Sequence, residues 1–98
     1  MTALSPRAGR QVRELQKHYR DRRRPEAIRT LAATLESAWQ IISSTPDAGW
    51  PAPRPYPALV RPGLAWIKAG RYWIAYRTTP RLLIDAVFYE TADIPGRL

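Results

Sequence analysis

The chain has 98 residues, enough for one hydrophobic core and too few for two, so a single domain spanning 1–98 is expected. With 45% apolar residues and four tryptophans it is too hydrophobic to stay disordered, and with 24% charged residues and no long apolar run it offers no membrane span. The absence of cysteine excludes disulfides and thiolate metal sites, and a single histidine gives no basis for a metal centre, so neither metal nor cofactor is expected.

Sixteen Lys+Arg against eight Asp+Glu leave a net charge of +8, spread evenly over the two halves of the chain. Such a balance favours a polyanionic partner, either nucleic acid or an acidic protein segment, and argues against a detachable basic arm. Met1 to Pro6 lead into a charged segment and not into an apolar stretch, so no secretory signal is visible and the cytoplasm is the expected compartment.

Ser5 followed by Pro6 is an N-cap with proline at the first helical position, and Ala8, Val12, Leu15 and Tyr19 recur at helical spacing. These features predict an amphipathic helix over 6–22. After the basic link Arg22-Arg23-Arg24, Pro25 opens a second helix whose apolar stripe is Ile28, Leu31, Leu35, Ala38, Trp39 and Ile42. Ser43-Ser44-Thr45-Pro46 stops it, and the short link makes the two helices an antiparallel hairpin. Between Pro46 and Pro62 prolines recur too often for ladder hydrogen bonding, so this stretch is expected to run extended over the surface, anchored by Trp50, Tyr56, Leu59 and Val60.

From Gly63 the period becomes that of strands: Leu64–Lys68, a turn at Ala69-Gly70, Arg71–Thr78, a turn at Thr79-Pro80, then Leu82–Tyr89. With Thr2-Ala3-Leu4 as a short edge strand, the predicted class is α+β, order β-α-α-β-β-β. A helical hairpin packs on one face of a three- to four-stranded antiparallel sheet whose other face stays partly open.

Several residues invite a functional reading beside a structural one. Arg71 and Arg77 flank an aromatic strand and either bind a partner or keep the sheet ends solvated. Asp85 lies in an otherwise apolar strand and should pair with one of these arginines, because an unpaired carboxylate there would be costly to bury. Trp66 and Trp73 on neighbouring strands are either core or an exposed aromatic platform, whereas Trp39 lies on the helix stripe and reads as core. Lys17, Arg20, Arg22, Arg23 and Arg24 form either a docking patch at the hairpin tip or a solvated face. His18 has no neighbour suited to a triad or a metal and is assigned no chemistry.

Several stretches, taken in order, resemble the RelE/ParE toxin superfamily, and the likeness covers nearly the whole chain. Leu4-Ser5-Pro6-Arg7-Ala8 resembles the family's strand-to-helix entry, and Arg61-Pro62-Gly63-Leu64 its approach to the central sheet. Gly70-Arg71-Tyr72-Trp73-Ile74-Ala75-Tyr76-Arg77 is similar to its "GRY-x-I-x-YR" strand, and Val87-Phe88-Tyr89 with Asp93-Ile94-Pro95 to the closing strand and tail of ParE-like members. The resemblance implies a bacterial growth-arresting toxin paired with a cognate antitoxin, of the ribbon-helix-helix type, whose C-terminal segment wraps the basic surface.

Two activities occur in that family. RelE-like members cleave messenger RNA on the ribosome with lysines, arginines and a late tyrosine, and ParE-like members block DNA gyrase without a catalytic constellation. Here the RelE-type arginine position falls on Trp73, the strand lysine on Trp66 and the late arginine near Glu90 to Ala92. A nuclease would therefore have to rely on Lys68, Arg71, Arg77 and Tyr89. The resemblance thus favours the gyrase-inhibitor branch, with Trp66, Lys68, Arg71, Trp73, Arg77 and Tyr89 as antitoxin- or target-binding residues. Where ParE-like tails read His-Gly-x-Arg-Asp, this chain has Tyr89-Glu90-Thr91-Ala92-Asp93 and lacks that His and Arg. A third expectation is a family member retained as an RNA-binding or antitoxin-sequestering protein without toxicity.

Overall fold

The computed structural model of the protein describes residues 2–92 and Ile94. Two helices, α1 (Pro6–Asp21) and α2 (Pro25–Ser44), precede three strands, β1 (Ala65–Ala69), β2 (Tyr72–Arg77) and β3 (Leu83–Tyr89). The strands form one antiparallel sheet in the order β1-β2-β3, which gives the α+β arrangement of a helical hairpin on a sheet. No helix among the described residues is long and apolar enough to cross a membrane.

Helix α1 starts where expected because the Ser5 hydroxyl accepts the Ala8 N–H at 3.0 Å while Pro6 occupies the first helical position. It ends because Arg23 takes φ +54°, after which Arg24 N–H reaches back to Tyr19 C=O at 2.8 Å and Arg23 N–H to Arg20 C=O at 3.0 Å. This pair of bonds is the usual way a helix satisfies its last carbonyls, with glycine normally at the left-handed position. An arginine there carries a backbone cost of about 1 kcal/mol. Helix α2 opens on Pro25 with Glu26 in its first turn and buries Leu31, Leu35, Ala38 and Ile42; Ile28 and Trp39 pack at the margin, so Trp39 is only partly buried.

The expected edge strand at residues 2–4 is reduced to one bridge. Leu4 lies parallel to Ile84, with Ile84 N–H donating to Ala3 C=O and Ser5 N–H to Ile84 C=O. The β1–β2 hairpin closes over Gly70-Arg71, where Gly70 takes φ +56°, the left-handed start that a two-residue turn needs. β3 carries one residue more than β2 between Ile84 and Ala86, so Asp85 is bulged out of the ladder. The extra residue resets the alternation of side chains: Ile84 and Val87 both face the helices, while Ala86 and Phe88 face the opposite side.

That opposite side is closed, which overturns the expectation of a partly open face. The 46–62 segment does run over the surface, but it runs across the sheet. Ala52, Pro53 and Leu59 are buried, and with Leu64 and Ile94 they cover Trp66, Trp73, Ala75, Ala86 and Phe88. Trp50 pairs with Trp66 along the outer edge of β1 through two backbone hydrogen bonds of 2.8 and 2.7 Å. Among the expected anchors, Leu59 and Tyr56 pack inward, while Trp50 and Val60 remain exposed. Proline cannot extend a ladder, so apolar contact, and not strand pairing, does most of the attachment. Trp66 is 0% exposed and Trp73 3%, so the two indoles are core and not an exposed platform. The Trp66 indole N–H finds no acceptor among the described residues, an omission that costs about 1–3 kcal/mol.

Substitutions at Trp66 and at Arg23 check the far-face packing and the end of α1. Trp66→Ala should lower the unfolding free energy by about 3–5 kcal/mol in urea titration, and Trp66→Phe, which removes the orphaned donor, by much less; a surface tryptophan would cost no more than about 0.5 kcal/mol when truncated. Arg23→Gly should raise stability by about 1 kcal/mol by relieving the left-handed arginine.

Candidate functional site

The bulge at Asp85 does more than reset the sheet. It frees the Asp85 carbonyl, which accepts the Ser5 hydroxyl at 3.1 Å and the Arg7 Nε–H at 3.3 Å. It also aims the carboxylate between two guanidinium groups: Arg7 Nη2 donates to Oδ2 at 2.8 Å and Arg77 Nε to the same oxygen at 3.3 Å. Ser5 thereby serves twice, capping α1 and pinning its start to β3. Burial pushes the Asp85 carboxyl up, but the Arg7 hydrogen bond and charge, with the Arg77 charge, outweigh it and hold the group below the usual carboxylate range. The ion pair expected for Asp85 is therefore present, with Arg77 joined by Arg7.

The other cations named on the sheet gather at its opposite end. Glu90 receives Lys68 Nζ at 3.1 Å and Arg71 Nη1 at 3.2 Å, and its N–H donates to Arg71 C=O at 2.8 Å. Lys68 also lies 5.6 Å above the Trp73 ring. The Arg71 guanidinium is held above its ordinary value, chiefly by hydrogen bonding to the Tyr89 phenol and then by Glu90. Tyr89, half-buried, stands edge-on to Tyr72 at 5.5 Å between ring centres. Lys68, Arg71 and Tyr89 are thus brought together around Glu90, and Arg77 is not with them. Six residues of extended chain separate Arg71 from Arg77, a span of about 20 Å.

Beside this cluster lies a cleft of about 890 Å³ between the tip of the helical hairpin and the end of the sheet. Arg24, Arg71 and Tyr89 line it together with Tyr19, from the apolar stripe of α1, and Tyr72, from the start of β2. The Tyr19 and Tyr72 hydroxyls hydrogen-bond to each other. Burial first, then the bond to Tyr19, raises the Tyr72 phenol, so it is neutral at physiological pH and serves as a hydrogen-bonding group, not a base. Two hydroxyls carry two protons and their mutual bond uses one, so the pair can donate the other to an acceptor. The signal for this pair was present in sequence: Tyr19 ends an apolar stripe with a polar tip, and such a tip usually seeks a partner when buried.

Lys17, Arg20, Arg22, Arg23 and Arg24 are exposed on the last turns of α1 and the link to α2. Lys17 pairs with Asp21 at 2.8 Å and Arg24 with Glu26 at 3.3 Å. Among the described residues no group of three or more His, Cys, Asp or Glu is placed to hold a metal. Of the tail residues, Ile94 is buried in the far-face core, and Asp93 and Pro95 lie outside the described residues.

The arrangement therefore offers phenol hydroxyls, an aromatic wall and, lining the cleft, both cations (Arg24, Arg71) and carboxylates (Glu14, Glu26). Such a lining suits an extended or aromatic group that carries hydrogen-bonding atoms. A pH dependence follows from Asp85. Because its folded pKa is depressed, its contribution to stability is present above the unfolded value of about 3.9 and is lost as pH falls through the lower folded value. Asp85→Asn should lose about 1–3 kcal/mol at pH 7 and show a flatter stability profile between about pH 5 and 2 by chemical denaturation. Compared with models of known protein families and with curated proteins, the sequence matches none.

Proposed function

We propose that the chain is the toxin of a type II toxin–antitoxin pair, a ParE-like protein that acts in the bacterial cytoplasm by binding DNA gyrase and is neutralised by a cognate ribbon-helix-helix antitoxin. The observation that carries the binding-type reading is the separation of the candidate cations. Phosphodiester cleavage requires groups converging within about 3 Å of the reacting atoms. Lys68 and Arg71 are instead tied to Glu90, Arg77 is tied to Asp85, and the two clusters stand at opposite ends of β2. A phosphate entering the Glu90 cluster would meet a carboxylate, which repels it. The architecture and the order of the family-like stretches support the superfamily. With Trp66 and Trp73 enclosed, the partner-facing residues of this reading become Lys68, Arg71 and Tyr89 with Arg24 at the cleft. The net charge of +8 suits an acidic antitoxin segment.

Purified gyrase, relaxed plasmid and increasing amounts of the protein provide the test. Supercoiling should be inhibited, and Arg71→Ala and Tyr89→Ala should each weaken inhibition by about tenfold, the usual effect of truncating an arginine or tyrosine anchor. Normal supercoiling at a large molar excess would remove the reading, and ribosome-dependent cutting of messages in a parallel translation assay would replace it with the nuclease.

A further inference from the structure

The basic residues at the hairpin tip continue along α1. Arg10, Arg13, Lys17 and Arg20 follow one another at intervals of three or four residues, and all four are exposed on the side of the helix away from buried Ala8, Val12 and Tyr19. Helical spacing stacks them into one line about 15 Å long, and exposed Arg22, Arg23 and Arg24 prolong it into the link.

We infer that this outward face of α1 grips the phosphodiester backbone of a nucleic acid. None of the observations behind it depends on gyrase being the target. The cations elsewhere on α1 and the sheet are occupied: Arg7 and Arg77 by Asp85, Lys68 and Arg71 by Glu90. In the stripe and link, Arg10, Arg13, Arg20, Arg22 and Arg23 form no ion pair among the described residues. Lys17 is paired with Asp21 and Arg24 with Glu26, and all four side chains are more than half exposed, so a phosphate can displace either carboxylate.

The line also contains no large apolar residue. An acidic peptide recognised by a helix face needs apolar anchors at the same spacing as the charges, whereas a phosphate backbone needs only cations. Arginine outnumbers lysine, and its planar fork of donors matches phosphate oxygens two at a time. A duplex presents a regular, closely spaced array of phosphates, so successive cations of the line can each reach one. Finally, Arg23 holds the left-handed position where glycine would be less strained, which keeps a cation at the end of the line at a cost to the backbone.

The test is fluorescence anisotropy of the full chain with a labelled 20-base-pair duplex DNA of random sequence, a 20-nucleotide single-stranded RNA and polyglutamate, between about 50 and 200 mM salt. Duplex binding should weaken with a log–log salt slope of about −4. Arg10→Gln/Arg13→Gln/Arg20→Gln should reduce that slope to between about −1 and −2. Arg54→Gln/Arg61→Gln/Arg81→Gln, the same change in charge at other exposed positions, should leave it nearly unchanged. If the stripe triple variant does not fold, Arg13→Gln and Arg20→Gln singly should each remove about 0.9 from the slope. Arg23→Gly should bind more weakly although it melts at a higher temperature, a divergence that a purely structural role would not produce. Tighter binding of the RNA, with about 0.7 lost per arginine removed, would identify single-stranded RNA as the source of the backbone. Absence of binding at 50 mM salt, equal binding of polyglutamate, or an equal loss in the control triple would overturn the inference.

Discussion

Asp85 sits where β3 has one residue more than β2, and the consequences of that residue reach both ends of the molecule. The bulge lets Ile84 and Val87 share the helix face while Ala86 and Phe88 fill the opposite core, so a single three-stranded sheet is apolar on both sides. Its freed carbonyl and its carboxylate hold Ser5, Arg7 and Arg77, tying the first turn of α1 to the last strand across about eighty residues of sequence. A carboxylate in that position is tolerable because two guanidinium groups face it. Without the bulge the strand would present the wrong residues to one of its two cores.

Two-sided burial decides where partners can bind. A sheet covered by helices on one face and by a proline-rich segment on the other leaves its ends and the outer surfaces of these two covers for contact. The sheet's cations accordingly fall into two separate clusters, each with two cations sharing one carboxylate, and a recess lies between the hairpin tip and the Glu90 end. On the outer face of α1, by contrast, Arg10, Arg13 and Arg20 form no ion pair among the described residues. The protein therefore presents a cleft suited to specific contact and a separate line of arginines suited to long-range attraction.

The elements were legible in sequence because their signals are local. The Ser5-Pro6 cap, the Pro25 start, the stripe from Ile28 to Ile42 and the Gly70 turn each determine structure within a few residues, and the strand limits shifted by only a position or two. The far face was misjudged because its cover depends on tertiary packing. Prolines argue against strand pairing, which is correct, but they do not prevent Ala52 and Leu59 from packing in one cluster with Trp66 and Trp73. The pairing of Asp85 with Arg77 followed from the cost of burying charge, while Arg7, 78 residues away, left no periodic trace. The Tyr19–Tyr72 pair is half legible: the polar tip of Tyr19 calls for a partner, and only the fold brings the Tyr72 hydroxyl to it.

The claim on which this account rests is that the Asp85 carboxylate stays ionised and paired within the folded protein. An NMR titration of the Asp85 side-chain carboxyl carbon measures this directly. The account predicts a midpoint below the ordinary aspartate value of about 3.9, moving upward in Arg7→Ala. A midpoint at or above that value in the native protein, insensitive to the loss of Arg7, would contradict it.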